Sequence, residues 1–319
     1  MRRIRLLIIS SLLLLSACRW GSPAEDTRVL HIIHAGSLTY PVQKLTEAFG
    51  KEHPDVRFRT EAWGSKAGAR RVIEIEAPAD VFLSADYMVI EHMLIPQHAS
   101  WYVAFAANEM AIVHTHRSRY SDEINQDNWP EILLRPDVSI GRSNPDHDPC
   151  GVRTVFTCKL AEIYFEEDGL ARQLLEKDRR NIRPKETDLI ALLESGHLDY
   201  IFLYRSVAQQ HQLPYLQLPP KLSLGDPDLQ QFYAQVQTQT MGARPGETIT
   251  ETGQAMVYGA TIPHKTNNPE LAEKFVEFLL SPQGIAIMEA LGQPGVVPAA
   301  NPYYDELPEG LKPFAKRTD

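Results

Sequence analysis

Residues 141–151, Gly-Arg-Ser-Asn-Pro-Asp-His-Asp-Pro-Cys-Gly, are of types that can hold an anion without a lysine or arginine in direct contact. They follow a short apolar run, 138–140, and precede a helical pattern at 152–165. Pro149 therefore stands near the first helical position, with Asp148 at or beside the N-cap. Because a helix N-terminus exposes unpaired backbone N–H groups and about half a positive charge, this turn predicts an anion site.

The same order of strand, polar turn and helix occurs at three other places. The turns lie at 35–37, 64–65 and 184–187, each after an extended run and before a helical pattern. Any one of them is more typical of an ordinary helix cap in an α/β protein. Four such turns in one chain favour a single oxyanion that is held from several sides.

The N-terminus has the pattern of a secretory signal. Three arginines precede the apolar run Leu6 to Ala17, which is too short for a stable membrane span. We therefore expect residues 1–17 to be a lipoprotein signal peptide. Leu15-Ser16-Ala17-Cys18 resembles a bacterial lipobox, which predicts lipid on Cys18; a plain signal peptide with an incidental cysteine is the alternative. Residues 18–27 then form a tether.

Composition limits the function classes. With 319 residues, 43% of them hydrophobic, the chain can bury a sizeable core. Its formal net charge is −9, and loss of the signal arginines would make it more negative by three. Such a surface argues against nucleic acid and against adsorption to anionic lipid. Recognition of an anion must then depend on local backbone dipoles.

The order of elements predicts two α/β lobes. Residues 28–94 read as β-α-β-α-β-α, which predicts a parallel sheet covered by helices on both faces. Two extended segments, 101–107 and 110–114, indicate a crossover to a second lobe, and 215–219 indicates the return. We expect lobe I at 28–110 and 215–319, lobe II at 111–214, and a ligand cleft between them. Residues 229–240 and 253–262 read as strands.

Other chemistry is weakly signalled. Cys150 and Cys158 lie eight residues apart in one expected helix, about 12 Å, which is too far for a disulfide, so both should be free thiols. The eleven histidines show no metal-binding spacing, and neither Ser37 nor Ser65 lies in a Gly-x-Ser-x-Gly elbow. Tyr204 lies either in the cleft or in ordinary sheet packing.

Ten short motifs, taken together and in order, resemble those of the tungstate/molybdate-binding proteins of ABC importers, over roughly residues 28–300. The motifs are Ala35-Gly36-Ser37-Leu38, Gly64-Ser65, Ala79-Asp80-Val81, Ala85-Asp86-Tyr87, Asp146-His147-Asp148-Pro149-Cys150-Gly151, Arg183-Pro184-Lys185-Glu186, Leu198-Asp199-Tyr200, Tyr204-Arg205-Ser206-Val207-Ala208, Tyr258-Gly259-Ala260-Thr261-Ile262-Pro263 and Gly292-Gln293-Pro294. The chain departs from the family pattern at Val152 and Gly295, neither of which is an implied ligand.

The resemblance implies a two-lobe periplasmic-binding fold of type II with an oxyanion in the cleft. The implied contacts are Gly36, Ser37, Ser65, Asp148, Pro149, Cys150, Glu186 and Tyr204. Ionised Asp148 and Glu186 would repel a dianion that is held by hydrogen bonds alone. The resemblance implies instead that both carboxylates bind the metal directly, which expands tungsten or molybdenum from four to six ligands. Sulfur and phosphorus in their oxyanions do not expand in this way.

These observations predict a lipid-anchored, non-enzymatic receptor for tungstate or molybdate. We expect it to be a monomer without a cofactor, in the periplasm or on the outer face of the cytoplasmic membrane, which delivers its anion to an ABC permease. Two alternatives remain open from the sequence. One is a secreted hydrolase acting on a phosphate or ester in the same cleft, and the other is a protein of this fold that binds a sugar or ferric ion.

Overall fold

The computed structural model describes residues 28–74, 79–177, 179–244 and 246–318. The strands are β1 Arg28–Ala35, β2 Val56–Trp63, β3 Val81–Ser84, β4 Val103–Ala107, β5 Met110–His114, β6 Ile140–Ser143, β7 Ile182–Arg183, β8 Tyr200–Tyr204, β9 Tyr215–Gln217, β10 Gln237–Met241, β11 Thr248–Thr252, β12 Val257–Thr261, β13 Ala299–Asn301 and β14 Ala315–Arg317. The helices are α1 Thr39–Glu52, α2 Ser65–Glu74, α3 Tyr87–Met93, α4 Trp129–Leu134, α5 Pro149–Tyr164, α6 Leu170–Glu176, α7 Ile190–Glu194, α8 Arg205–Gln210, α9 Pro220–Ser223, α10 Gln230–Tyr233, α11 Pro269–Leu280 and α12 Pro282–Ala290.

The expected signal segment, the tether and Cys18 lie outside the described residues. Within the described part of the chain, the helices are too short or too polar to cross a membrane.

The first lobe is built on a five-stranded sheet in the order β2-β1-β3-β12-β4. β1 runs parallel to both β2 and β3, as the alternation of strands and helices predicts. β12 enters from far along the chain and pairs antiparallel with β3 and β4. Helix α1 covers one face with the expected stripe of Val42, Leu45 and Phe49, all of them buried. The carboxyl ends of β1 and β2 lead directly into the turns at Gly36 and Gly64.

The second lobe is built on a sheet in the order β7-β6-β8-β5-β9. β6 is parallel to β7 and β8, whereas β5 is antiparallel to β8 and β9. Asn108 and Glu109 form the crossover from β4 in the first sheet to β5 in the second. The structure therefore has the expected two-lobe α/β architecture. The polar turn 144–148, called the central turn below, lies at the carboxyl end of β6.

The pairing of two segments corrects the expected lobe boundaries. Met110 and β9 were expected in the first lobe, but Met110 pairs with Tyr204 and β9 pairs with β5. The chain thus returns to the first sheet only after Gln217, because the extended return segment first extends the edge of the second sheet beside β5.

The expected strand at 229–240 is wrong in its first half. Asp226 accepts a hydrogen bond from the backbone N–H of Asp228, which starts a short 3-10 turn that leads into α10. The Asp-Pro pair at 226–227 is a helix-start signal that outweighs the apolar content of the segment. Only β10 is extended there, and it forms an antiparallel hairpin with β11. In the expected strand at 253–262, only β12 is extended.

Candidate functional site

The four polar turns meet at the boundary between the lobes. A side chain at Gly36 would place its Cβ atom 3.0 Å from a carboxylate oxygen of Glu186. A Cβ atom at Gly64 would lie only 2.5 Å from the carbonyl oxygen of His147 and 3.0 Å from the Asp148 side chain. Glycine at these two positions lets the turns of the first lobe approach those of the second. The structure thus brings together turns that lie 83 to 150 positions apart in the sequence.

Asp148 is fixed by backbone donors on both of its carboxylate oxygens. It is the N-cap of α5, as the sequence predicts, and its Oδ1 accepts the N–H of Cys150 at 3.2 Å. Its Oδ2 accepts the N–H of Glu186 at 2.9 Å, so one side chain ties together the two turns of the second lobe. Pro149 occupies the first helical position, where its missing N–H costs nothing.

The carboxylate of Glu186 lacks the hydrogen bonds that fix Asp148. It begins a 3-10 helix, Glu186–Leu189, and only 1% of its surface is exposed. Neither carboxylate oxygen has a hydrogen-bond donor among the described residues. Burial, and next the negative charge of Asp148, raise the pKa of Glu186 well above its ordinary value. Burial also raises the pKa of Asp148, although its two N–H donors oppose the shift. Without a ligand, a proton is therefore held more readily by Glu186 than by Asp148.

Three of the expected contact residues, Ser37, Ser65 and Tyr204, carry buried hydroxyl groups. The Ser65 oxygen accepts the backbone N–H of Ala85 at 3.0 Å, and the Ser37 oxygen accepts the hydroxyl of Tyr258 at 3.1 Å. Each serine therefore keeps its own hydrogen to donate elsewhere. The Tyr204 hydroxyl is buried without a partner among the described residues, and burial raises the pKa of Tyr204, so that it keeps its proton.

Two buried cations, one from each lobe, contact the other lobe beside the site. Arg153 on α5 pairs with Asp86, the N-cap of α3, and both side chains are almost fully buried. Lys66 on α2, 1% exposed, donates to the carbonyl oxygen of Pro145 at 3.1 Å and pairs with Glu251 on β11. The central turn is thus gripped from the first lobe, and the cleft is closed over the carboxylates.

Cys150 lies beside the site but makes no cross-link. Both Cys150 and Cys158 are buried free thiols on α5, as their helical spacing predicts. Burial raises the pKa of both thiols, so neither is a thiolate at neutral pH. Cys150 contributes its backbone N–H to Asp148, while its sulfur lies 3.8 Å from the carbonyl oxygen of Phe202.

The sequence alone did not identify the residues that hold the site residues and their turns in position. Arg153 and Lys66 carried no signal, because their partners are distant in the chain. Tyr258 and Gln293 stood in recognised motifs, but their roles depend on contacts with Ser37 across more than two hundred residues. The expected residues Gly36, Ser37, Ser65, Asp148, Pro149, Cys150, Glu186 and Tyr204 are all buried in the structure.

The comparisons with known proteins agree on one family. The model of the family described as bacterial extracellular solute-binding protein matches residues 30–292. A solute-binding protein of Petrotoga mobilis, described as uncharacterized, is 48% identical over 295 residues, which cover 92% of each chain. A protein of Pyrococcus abyssi called molybdate/tungstate-binding protein WtpA is 37% identical over 339 residues, with 97% of each chain covered.

A solved structure shows the same fold. The periplasmic molybdate-binding protein of Azotobacter vinelandii matches with a TM-score of 0.56 and 18% identity, over 83% of this chain and 98% of that one.

The site makes a prediction about stability without ligand. In Glu186→Gln, the new amide can donate to the Asp148 carboxylate at any pH, whereas Glu186 must first bind a proton to do so. We expect the free energy of unfolding at pH 7 to rise by about 1.5–3 kcal/mol, the range for a hydrogen bond to a charged group. Urea denaturation of the ligand-free protein measures it. Asp188→Asn, in the same 3-10 helix but 36% exposed, is the matched control and should change stability by less than about 0.5 kcal/mol. A less stable Glu186→Gln protein would contradict this picture of the pair.

Proposed function

This chain belongs to the bacterial extracellular solute-binding protein family, and on that premise we propose that it captures tungstate or molybdate by six-coordinate binding in the cleft between its lobes. It is a solute-binding protein and not an enzyme, which removes the hydrolase alternative. The relatives named for molybdate and tungstate support this choice of solute.

The observation that carries the proposal is the pair of buried carboxyl groups, Asp148 and Glu186, neither of which forms a salt bridge within the described part of the chain; the neighbouring Lys185 pairs with Asp188 instead. A sulfate-like anion held by hydrogen bonds alone would meet two acceptors and be repelled. A metal centre that accepts two further oxygens turns these acceptors into ligands. We assign Asp148 and Glu186 as those ligands.

The remaining expected contacts would hold the oxo groups. The hydroxyls of Ser37, Ser65 and Tyr204 are placed to donate hydrogen bonds to the oxygens of the bound anion. Gly36 lets the backbone approach closely, while Pro149 and Cys150 shape the start of α5. Six charge-assisted hydrogen bonds would supply about 9–18 kcal/mol gross, against about 12 kcal/mol for nanomolar affinity. Binding is thus feasible without a lysine or arginine contact.

A different solute in the same cleft is the competing function. A sugar or a ferric ion is bound by other proteins of two-lobe folds, and fold similarity alone does not separate these solutes. The paired carboxylates and the hydroxyl donors fit a metal-centred oxyanion better than a neutral sugar, because a sugar offers no centre for two additional oxygen ligands.

The proposal extends to the place of action. We infer from Leu15-Ser16-Ala17-Cys18 that the chain is cut before Cys18 and anchored by lipid at that residue. The tether 18–27 would hold the two lobes in the periplasm or at the outer face of the cytoplasmic membrane. There the protein would act as a monomer and deliver its anion to an ABC permease.

A panel of solutes tests the choice of ligand. Tungstate and molybdate should raise the melting temperature, since a ligand that binds only the native state adds about 2.7 kcal/mol at a hundred times its dissociation constant. Equal concentrations of sulfate, phosphate, ferric citrate and maltose should produce no comparable shift. A melting-temperature shift of the same size with sulfate would contradict six-coordinate binding. A shift with maltose or iron alone would identify another solute.

The carboxylate variants test the coordination. Asp148→Asn and Glu186→Gln each remove a negative charge near a dianion, so electrostatics alone predicts tighter binding. If both carboxylates are metal ligands, each variant should instead bind tungstate at least tenfold more weakly in calorimetry. X-ray absorption at the tungsten edge should report six ligands in the wild type. Four ligands, together with tighter binding by both variants, would show that these carboxylates do not coordinate the metal.

Removal of the cysteine tests the anchor. We expect Cys18→Ala to abolish attachment of radiolabelled fatty acid and to leave tungstate affinity unchanged, because residue 18 precedes the first strand by ten residues. Labelled lipid on the substituted protein would exclude Cys18 as the attachment site.

A further inference from the structure

A chain of hydrogen bonds runs from the crossover between the lobes to the hydroxyl of Ser37. It starts at Asn108, whose Oδ1 accepts the backbone N–H of Glu109 at 2.9 Å. A backbone N–H can only donate, so this contact fixes which end of the amide is oxygen. The Nδ2 atom therefore donates, and it lies 2.7 Å from both the Tyr258 hydroxyl and the Ser206 hydroxyl.

The direction of the next bond follows from the first. The Tyr258 oxygen receives a hydrogen from Asn108, and Gln293 Nε2 lies 3.4 Å away as a second donor. Tyr258 must then donate its own hydrogen to another acceptor. Among the described residues, the acceptor within reach is Ser37 Oγ, at 3.1 Å. Tyr258 is fully buried and Ser37 is 1% exposed, so water does not compete for these positions.

The direction in which the Ser37 hydroxyl hydrogen points is therefore set by Tyr258. Because its oxygen already accepts from Tyr258, its hydrogen points away from the tyrosine and remains available to a ligand. A fully deprotonated tetrahedral oxyanion has only acceptor oxygens, so the direction of this one hydroxyl decides whether the contact attracts or repels. A serine that was free to rotate would spend part of its time with a lone pair towards the anion.

We propose that Tyr258, oriented by Asn108, is a positioning residue that holds the Ser37 hydroxyl as a hydrogen-bond donor to the bound oxyanion. The inference rests on the function proposed above and adds to it a residue that acts without touching the ligand. Asn108 also bonds Ser206, in the first turn of α8 directly after Tyr204. One amide in the crossover thus aligns the serine donor of the first lobe and supports the helix that follows the tyrosine donor of the second.

A double-mutant cycle on full-length protein tests the proposal. Tungstate and molybdate affinities are measured by calorimetry for the wild type, Tyr258→Phe, Ser37→Ala and the double variant. With Ser37 present, Tyr258→Phe should weaken binding about tenfold, the loss expected for one hydrogen bond to a charged group. In the Ser37→Ala background the same change should weaken binding less than about twofold. A merely structural role for Tyr258 would give the same loss in both backgrounds, and that result would overturn the proposal.

Tyr233→Phe is the matched control. Tyr233 as a whole is 0% exposed, like Tyr258, and its hydroxyl donates to the carbonyl oxygen of Pro220 at 2.6 Å, away from the site. It should lower the melting temperature about as much as Tyr258→Phe and leave affinity unchanged. If Tyr258→Phe does not fold, Asn108→Asp replaces it, because an aspartate would accept the tyrosine hydrogen and deprive Ser37 of its donor. Its loss of affinity must likewise disappear in the Ser37→Ala background, or the proposal fails.

The outcomes separate this inference from the function on which it rests. A wild-type protein that binds neither tungstate nor molybdate overturns both. A wild type that binds while Tyr258→Phe and Ser37→Ala act independently overturns the positioning role alone.

Discussion

Two carboxyl groups buried against each other, neither of them in a salt bridge with any residue that the structure describes, are the constraint around which this molecule is arranged. Burial raises the pKa of both Asp148 and Glu186, and their mutual repulsion adds to the cost. A core assembled for stability alone would fill this space with apolar side chains. The strain is tolerated because Asp148 caps α5 and bonds the turn at Glu186, so the same group that destabilises the centre also organises the second lobe.

The charges that close the cleft stand outside this centre. Arg153 pairs with Asp86 and Lys66 pairs with Glu251, all of them buried, and both pairs lie where the first lobe meets the central turn or its helix. Buried ion pairs contribute little net stability, but separating one leaves an uncompensated charge that costs several kcal/mol. The Arg153–Asp86 pair, together with the bond from Lys66 to the Pro145 carbonyl oxygen, therefore favours one arrangement of the lobes. The cations are used on structural partners, which leaves the ligand space to carboxylates and hydroxyls.

Much of the local structure could be predicted from the sequence, because it depends on neighbours in the chain. Asp148 and Pro149 indicated the start of α5. The apolar periodicity predicted the positions of most strands and helices to within a few residues. Contacts between distant residues could not be predicted. Tyr258 and Ser37 are 221 positions apart, and nothing local to either indicates which of them donates. The contacts that hold the hairpin of β10 and β11 are also distant, since Lys66 donates to Thr240 and Asp146 accepts the N–H of Met241.

The two carboxyl groups differ in what holds them, and the difference assigns them different parts in the proposed complex. Asp148 accepts two backbone N–H bonds, so its oxygens are in place before any ligand arrives. Glu186 has no donor among the described residues and holds its proton more readily, so it gains most from a metal centre that replaces the proton. A carboxylate that is already fixed in place reduces the entropy cost of binding. A carboxylate without hydrogen-bond partners instead gains favourable free energy when it coordinates the metal. Sulfate offers Glu186 no vacant coordination position, so in the proposed complex selectivity would follow from chemistry as well as size.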